Sequence, residues 1–401
     1  MTQDRETIHV KTVTAPTNIA VIKYWGKANV KLNTPINDSL SATLSQDHLR
    51  AVTTASASYK FTEHKLWLNG IEEDVSNSKR FKACLEGVLK LAGDKVDEDG
   101  NVIVKKEEWK DMHVHISSYN TFPTAAGLAS SAAGYAALTA SLASLFNAKE
   151  TYKGELSSIA RQGSGSSCRS LYGGFVAWEK GIKEDGSDSI AVQIADENHW
   201  PEIRALICVV SDAKKETSST TGMQTTVATS PLIDYRANHV VPKRQSEIIK
   251  AILSKDFKTF AEITMKDSNQ FHATCLDTYP PIMYLSDTSQ SIMSLIHAYN
   301  RYHNQVRVAY TFDAGPNAVL YTLDKYHLEI CALIRHCFLQ DDLFIPQIQL
   351  PALSPELVDA VKKYTGCVKK VYVTSCGPGP ITLKEEESLI DVKTGLNLYH
   401  P

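Results

Sequence analysis

Pro123-Thr124-Ala125-Ala126-Gly127-Leu128-Ala129-Ser130-Ser131-Ala132-Ala133 joins a strand expected around Val114 and Ile116 to a helix expected from Ser130 to Phe146. Nearly every residue is small, so backbone can approach a ligand closely here. The first N–H groups of a helix lack internal partners and its dipole adds partial positive charge, so such a start attracts phosphate. Ser130 and Ser131 add hydroxyls. On composition alone, a capped helix packed through Ala and Gly accounts for the stretch equally well, because Ser at a helix start is often only a cap. Neither G-x-x-x-x-G-K-[ST] nor G-x-G-x-x-G occurs, so a Walker loop and a Rossmann fingerprint are both unsupported.

Outward from this loop the chain alternates strand and helix patterns. Ile8 to Thr14 and Ile19 to Tyr24 read as strands. Lys65 to Leu68, Asn69-Gly70 and Ile71 onward form a hairpin pattern, since Asn-Gly accepts the positive φ of a type I′ turn. Arg80 to Leu91 sets Phe81, Cys84, Leu85, Val88 and Leu89 on one helical face. Gly173 to Trp178, Arg204 to Val210, Val306 to Thr311 and Lys370 to Thr374 read as strands, and Gln245 to Leu253 and Ile282 to Tyr302 as helices. This mixture favours an α+β class or an α/β sandwich. No internal repeat or Gly/Ser linker marks a boundary. It falls between residues 195 and 235 and is set at 210, giving parts 1–210 and 211–401.

The 401 residues suffice for one large or two medium units. Hydrophobic residues at 43% and charged residues at 22% are ordinary globular usage, which argues against disorder. A net charge of −3 argues against a protein that chiefly neutralises a nucleic-acid backbone. The 8 cysteines form no C-x-x-C pair and no zinc spacing, so reduced thiols in a cytoplasmic protein are expected. Met1 to Lys11 lacks the apolar core of a secretory signal, and no stretch approaches the ~20 apolar residues of a membrane span.

The longer pattern Pro-x-x-x-Gly-Leu-x-Ser-Ser-x-Ala resembles the ATP-binding motif of the GHMP kinase superfamily. Four further segments are similar to the mevalonate diphosphate decarboxylase family: Ala15 to Lys27, Gly163 to Phe175, Met265 to Asp277 and Tyr310 to Ala318. They occur in family order over nearly the whole chain. Two departures, Ser167 and the Ser375-Cys376 pair before Gly377-Pro378-Gly379, leave the charged groups intact. The resemblance implies the GHMP kinase fold, with an N-terminal α/β part and a C-terminal ferredoxin-like α/β sandwich around a deep cleft. It implies ATP-dependent decarboxylation of mevalonate 5-diphosphate to isopentenyl diphosphate through a 3-phosphorylated intermediate, in the mevalonate pathway of isoprenoid and sterol synthesis. A homodimer is expected, with no nucleic-acid or membrane partner.

Residue roles carry over in the same way. Asp313 is the expected base for the C3 hydroxyl, although as a lone residue it reads slightly better as an N-cap or turn Asp before Ala-Gly-Pro. Arg169 offers a planar fork for the substrate's C1 carboxylate, with Asn18 assisting as donor; alone, Arg169 could be a surface ion pair. The substrate diphosphate is assigned to Tyr24, Lys27, Arg80, Ser164 and Ser166. ATP is assigned to Pro123, Ala126, Gly127, Leu128, Ser130, catalytic Ser131, Ala132, and a closing loop with Lys214 and Ser219. Mg2+ should arrive with ATP, bound chiefly by phosphate oxygens and water rather than a protein cage. His272 and Cys275 suggest a nucleophile pair, but one apolar segment carrying both reads as packing. His113 and His115 likewise read as structural, and Met265 and Phe271 as core. The alternatives are a sister kinase that stops at the phosphorylated product, and a catalytically silent binding protein on the same fold.

Overall fold

The computed structural model describes residues 6–122, 130–211, 216–338, 344–345 (backbone), 348–361, 364, 366 and 368–400. Pro123, Ala126, Gly127, Leu128 and Lys214 therefore lie outside the described residues. Three sheets organise the rest. A six-stranded sheet runs in the order Ile381–Thr382, His9–Pro16, Arg50–Ser58, His113–Asn120, Lys65–Leu68, Ile71–Glu73. The last two form the expected hairpin, with Asn69 at φ 50° and Gly70 at φ 82°. Both lie in the left-handed region that a type I′ turn needs.

Helix Ser130–Leu145 lies on this sheet through an alanine seam. Ala133, Ala136 and Ala137 meet Ala15 and Ala51, so helix and strand backbones approach closely and the helix start is carried to the cleft edge. Helix Lys79–Lys90 buries Phe81, Cys84, Leu85 and Val88 on the face its periodicity specifies. Its cap is Ser78, whose hydroxyl accepts from the Phe81 N–H and so satisfies one of the orphan donors of the first turn.

A four-stranded sheet has the order Ala191–Ala195, Phe175–Trp178, Ser39–Thr43, Asn18–Ile22. The five-stranded sheet has the order Val308–Phe312, Ala318–Leu323, Ile203–Val209, Lys370–Ser375, Phe344–Ile345. Helix Phe257–Asp277 is wedged between these two sheets. Its Phe260 meets Phe175 of one at 6.1 Å and Tyr321 of the other at 5.6 Å, both edge-to-face. That is an arrangement the ring quadrupole favours. The main core is continuous across this wedge, from Ile19, Leu40 and Phe175 to Leu206, Leu320 and Ile334.

Connectivity is less segmental than a cut at residue 210 implies. Strand Ile203–Val209 precedes that cut, yet it pairs with Ala318–Leu323 and Lys370–Ser375 in the second part's sheet. Conversely, Ile381–Thr382 returns to pair with His9–Pro16, and the tail packs on the first sheet, with Tyr399 stacked on Tyr119 at 4.2 Å. One helix is shorter than its periodicity. The pattern from Ile282 becomes helical only at Asp287, where Ser286 and Ser289 form a reciprocal cap that fixes the start one turn late. No helix among the described residues is long and apolar enough to cross a membrane. Cys84, Cys168, Cys208, Cys275, Cys331 and Cys376 are free thiols.

Candidate active site

A cleft of about 570 Å³ opens between the residues of and just after strand Asn18–Ile22 of the four-stranded sheet and those just after strand Val308–Phe312 of the five-stranded sheet. It is lined by side chains from both parts of the chain, Asn18 to Arg169 on one side and Ser218 to Ala314 on the other. Of the residues assigned to substrate or catalysis from sequence, Asn18, Tyr24, Lys27, Arg80, Ser131, Ser164, Ser166, Arg169 and Asp313 all face it, with Ser130 and Ser219 of the ATP set. Ala132 is buried in the first turn of its helix rather than facing the cleft.

Two edge strands end here. Asn18–Ile22 is the edge of the four-stranded sheet and delivers Lys23 and Tyr24; Val308–Phe312 is the edge of the five-stranded sheet and delivers Asp313. Lys23 Nζ donates to Asp313 Oδ1 at 2.5 Å, with the Lys23 side chain 3% and the Asp313 side chain 31% exposed. Burial pulls the Lys23 ammonium below its ordinary range, against the attraction of Asp313 and Asp267, as desolvation disfavours the charged form. Asp313 also sits in a turn, its carbonyl accepting from the Gly315 N–H at 2.7 Å. The turn reading is thus correct for its backbone, while its carboxylate faces Lys23.

Arg169 is only 2% exposed and has no carboxylate within ion-pair distance among the described residues, so the surface ion pair does not exist. It lies in the tight 3₁₀ turn Gly165–Leu171, which follows helix Glu155–Gly163. Gly163 lets the end of that helix pack closely on helix Ser130–Leu145, since a Cβ there would sit 2.0 Å from the Tyr135 ring. Arg169 Nε donates to Ser41 Oγ at 2.9 Å and Nη1 to Ser39 Oγ at 2.6 Å, and Trp178 lies under the guanidinium at 5.8 Å. Burial lowers its pKa, opposed by Cys168, Asp313 and Tyr24. Neutral hydroxyls orient the fork and leave its positive charge unmatched.

Asn18 differs from its expected role as a direct donor. Its amide nitrogen donates to Ser170 Oγ at 2.8 Å and the Ser166 carbonyl at 3.0 Å, and its Oδ1 accepts from Arg169 Nε at 3.3 Å. In this state it orients Arg169. Tyr24 is nearly enclosed, packs on Trp178 at 4.7 Å, and its hydroxyl has no hydrogen-bond partner among the described residues. A buried, unpaired hydroxyl at a cleft wall needs an acceptor or donor from outside the protein. Lys27 is held low by burial and by the neighbouring Arg80 guanidinium, which donates to Thr220 Oγ1 at 3.2 Å. Ser131 and Ser164 hydroxyls lie 3.1 Å apart, joining the helix start to the Gly163–Ser166 stretch.

Sequence reasoning gives Lys23 no role. The available signal is a lysine directly after a strand buried at every position, a place where an unpaired ammonium is not tolerated. Ser39 and Ser41 are also missed, being ordinary strand serines until Arg169 is placed beside them. His272 and Cys275 are both buried in helix Phe257–Asp277. Burial drives the His272 imidazole down to about 3 and pushes the Cys275 thiol well up, the reverse of an activated pair. Cys168, beside Arg169, is pushed up to about 12 by burial and is equally inert. Among the described residues no three His, Cys, Asp or Glu side chains gather as a metal cage.

Comparison with known proteins agrees with this geometry. Residues 15–191 match the diphosphomevalonate decarboxylase-like N-terminal domain, and residues 205–383 the mevalonate 5-diphosphate decarboxylase C-terminal domain. The chain is 52% identical to the diphosphomevalonate decarboxylase of Rattus norvegicus, covering 93% of each chain. The structure of mevalonate diphosphate decarboxylase from Trypanosoma brucei superposes with a TM-score of 0.86 at 38% identity, covering 95% of this chain and 100% of that one. A solved complex of MDDEF with MVAPP, AMPPCP and magnesium is similar at a TM-score of 0.72 and 31% identity, covering 94% and 99%. With its α+β architecture and cleft of the GHMP kinase type, the chain belongs to the mevalonate diphosphate decarboxylase family.

Proposed function

We propose that this chain converts mevalonate 5-diphosphate and ATP to isopentenyl diphosphate, ADP, phosphate and CO2, within the mevalonate pathway. One observation carries the reading: a lysine-held carboxylate, Asp313, and a buried guanidinium with no counter-ion among the described residues, Arg169, line the same cleft.

Making an alkene from a β-hydroxy acid requires a leaving group at C3 and the electron pair of the C1–C2 bond. Asp313 accepts the C3 hydroxyl proton as that oxygen takes the γ-phosphoryl group from ATP. Lys23 holds one carboxylate oxygen, so the other points its lone pairs at the substrate. Arg169, aimed by Ser39, Ser41 and Asn18, binds the C1 carboxylate through its planar fork. Holding that carboxylate fixes the C1–C2 bond relative to the C3–O bond. When phosphate leaves C3, the C1–C2 pair becomes the double bond and CO2 departs. Tyr24, Lys27, Arg80, Ser164 and Ser166 hold the diphosphate.

Ser130, Ser131 and Ser219 line the described part of the ATP site, with Pro123, Ala126, Gly127, Leu128, Ala132 and Lys214 assigned from sequence. Mg2+ arriving with ATP would supply charge neutralisation for the transferring phosphoryl group, and the Ser130 and Ser131 hydroxyls at the cleft are the groups that would help hold it. We retain 1–210 and 211–401 as the two parts flanking the cleft, exchanging strand Ile203–Val209 and the C-terminal tail as described. A cytoplasmic homodimer completes the proposal, and light scattering on the purified chain tests the dimer.

The deciding experiment incubates the chain with mevalonate 5-diphosphate and Mg·ATP and follows ADP, phosphate and CO2 together. Equal amounts of all three are expected. ADP without CO2 and phosphate refutes decarboxylation and leaves a kinase.

A further inference from the structure

The two members of the Lys23–Asp313 pair come from edge strands of different sheets, so no ladder fixes their separation. A single helix does. Helix Phe257–Asp277 offers two consecutive side chains, Asp267 and Ser268, both buried and neither lining the cleft. Asp267 Oδ2 accepts from the Lys23 N–H at 2.7 Å, and Ser268 Oγ accepts from the Phe312 N–H, next to Asp313, at 3.0 Å.

The Lys23 peptide is gripped from its other side as well. Arg236 binds Asp267 in a two-bond fork, each at 2.8 Å, and its Nη2 also donates to the Lys23 carbonyl at 3.1 Å. The Asn37 amide donates to the same carbonyl at 3.2 Å. Arg244 closes the set, reaching Asp267 Oδ1 at 3.2 Å. A fully enclosed carboxylate costs several kcal/mol in desolvation, so a buried ion pair is weak grounds for stability alone. Edge-strand N–H groups can be satisfied by neutral acceptors; a charged triad at one of them fixes geometry more tightly.

We propose that Asp267 and Ser268 are positioning residues that set the Lys23-to-Asp313 geometry, and through it the rate of the C3 phosphoryl-transfer step. The inference rests on Asp313 being the base. Neither side chain touches substrate. Each holds a backbone N–H at the end of one edge strand, and because they are adjacent on one rigid helix, the two strand ends are held in a fixed relation. A displacement of about 1 Å between reacting groups is enough for a loss of roughly 10²-fold.

The test uses Ser268→Ala and Asp267→Asn in the full chain, each alone and combined with Asp313→Asn. Single-turnover rates and KM for mevalonate 5-diphosphate and ATP are measured. Ser268→Ala, a small change at a helix-tolerant position, is expected to fold and to lower the rate roughly 10-fold, with both KM values within about twofold of the parent. Asp267→Asn is expected to lower it roughly 100-fold. Within Asp313→Asn both losses should vanish, because no base remains to be positioned. A Ser268→Ala rate equal to the parent's, or a loss of the same size in both backgrounds, overturns the proposal. Should Asp267→Asn fail to fold, Ser268→Ala decides alone. Asp313→Asn by itself at parental rate would instead remove the base assignment, a separate outcome.

Discussion

Asp313→Asn removes the carboxylate charge while keeping shape, and the structure sets two consequences of different size. A positioned general base contributes roughly 10²- to 10⁴-fold, or about 3 to 5 kcal/mol of barrier. The maximal rate should fall by that amount. The second consequence falls on Lys23, which loses its only direct carboxylate partner among the described residues while 3% exposed. Breaking a fully buried pair costs about 3 to 5 kcal/mol. Because Asp313 is 31% exposed and the cleft admits water, about 1 to 3 kcal/mol is expected here. Burial already lowers Lys23, so part of that penalty is relieved by loss of its proton. The variant should thus be folded, a few degrees less thermostable, and able to bind both substrates. Differential scanning calorimetry, equilibrium binding and single-turnover release of ADP, phosphate and CO2 separate these effects. Near-parental turnover in a folded, substrate-binding variant would refute the role of Asp313. An Asp that merely shapes the Asp313–Gly315 turn predicts that outcome, because Asn occupies such turns as readily.

Three further variants probe the rest of the site. Arg169→Gln keeps polarity but loses the charge and the fork, so it should cut the decarboxylation rate at least roughly 100-fold with little change in ATP binding; a loss confined to ATP affinity would place Arg169 elsewhere. Ser131→Ala removes one hydroxyl from the helix start and should reduce turnover roughly 10-fold or more while Tm holds, and unchanged kinetics would reduce Ser131 to a packing residue. His272 titrates at about 3 when folded against an ordinary 6.5, burial being the main cause and Lys23 adding to it. The unfolded chain therefore takes up the proton first as pH falls, and stability is lost from about pH 6.5 downward. At about pH 4.5 the loss amounts to roughly 3 kcal/mol. His272→Gln should flatten that acid slope, and an unchanged slope in urea titrations at about pH 7 and 4.5 would count against it.

Legibility follows chemistry that is local in the chain. The Asn69-Gly70 hairpin and the helix bearing Phe81, Cys84, Leu85 and Val88 are readable because turn conformation and a 3.6-residue period are written in neighbouring residues. Strand Arg50–Ser58 is not, although it is central to the six-stranded sheet. It is buried along nearly its whole length, in part against the alanine seam, and Val52 is its one β-branched apolar residue, so it shows neither alternation nor a run of bulky apolar residues. Helix Phe257–Asp277 carries a family motif yet is not legible as a helix, since sheets on two sides bury polar and apolar residues alike. Resemblance to the family is what locates Asp313 and Arg169. Lys23, Ser39 and Ser41 acquire meaning only when residues 128 to 290 positions away in the chain meet them.

The same placement explains why the cleft favours its ligands. Its described lining contains four cations, Lys23, Lys27, Arg80 and Arg169, against one carboxylate, Asp313. Burial lowers Lys23, Lys27 and Arg169, and Arg80 lowers Lys27 further, so the protein alone holds these charges at a cost. On the proposed assignment a carboxylate matches Arg169 and a diphosphate matches Lys27 and Arg80, offsetting two of those three penalties while Lys23 stays paired with Asp313, and the Tyr24 hydroxyl gains the partner it lacks among the described residues. Substrate binding therefore returns to the fold part of the stability that the assembled cations remove, a linkage worth about 2.7 kcal/mol when ligand stands roughly 100-fold above its dissociation constant. It also restricts which anion fits. With Arg169 assigned to the C1 carboxylate as proposed, a ligand with the diphosphate alone would leave the guanidinium buried and unmatched among the described residues, so the group proposed to leave as CO2 is the one whose charge would complete the cleft.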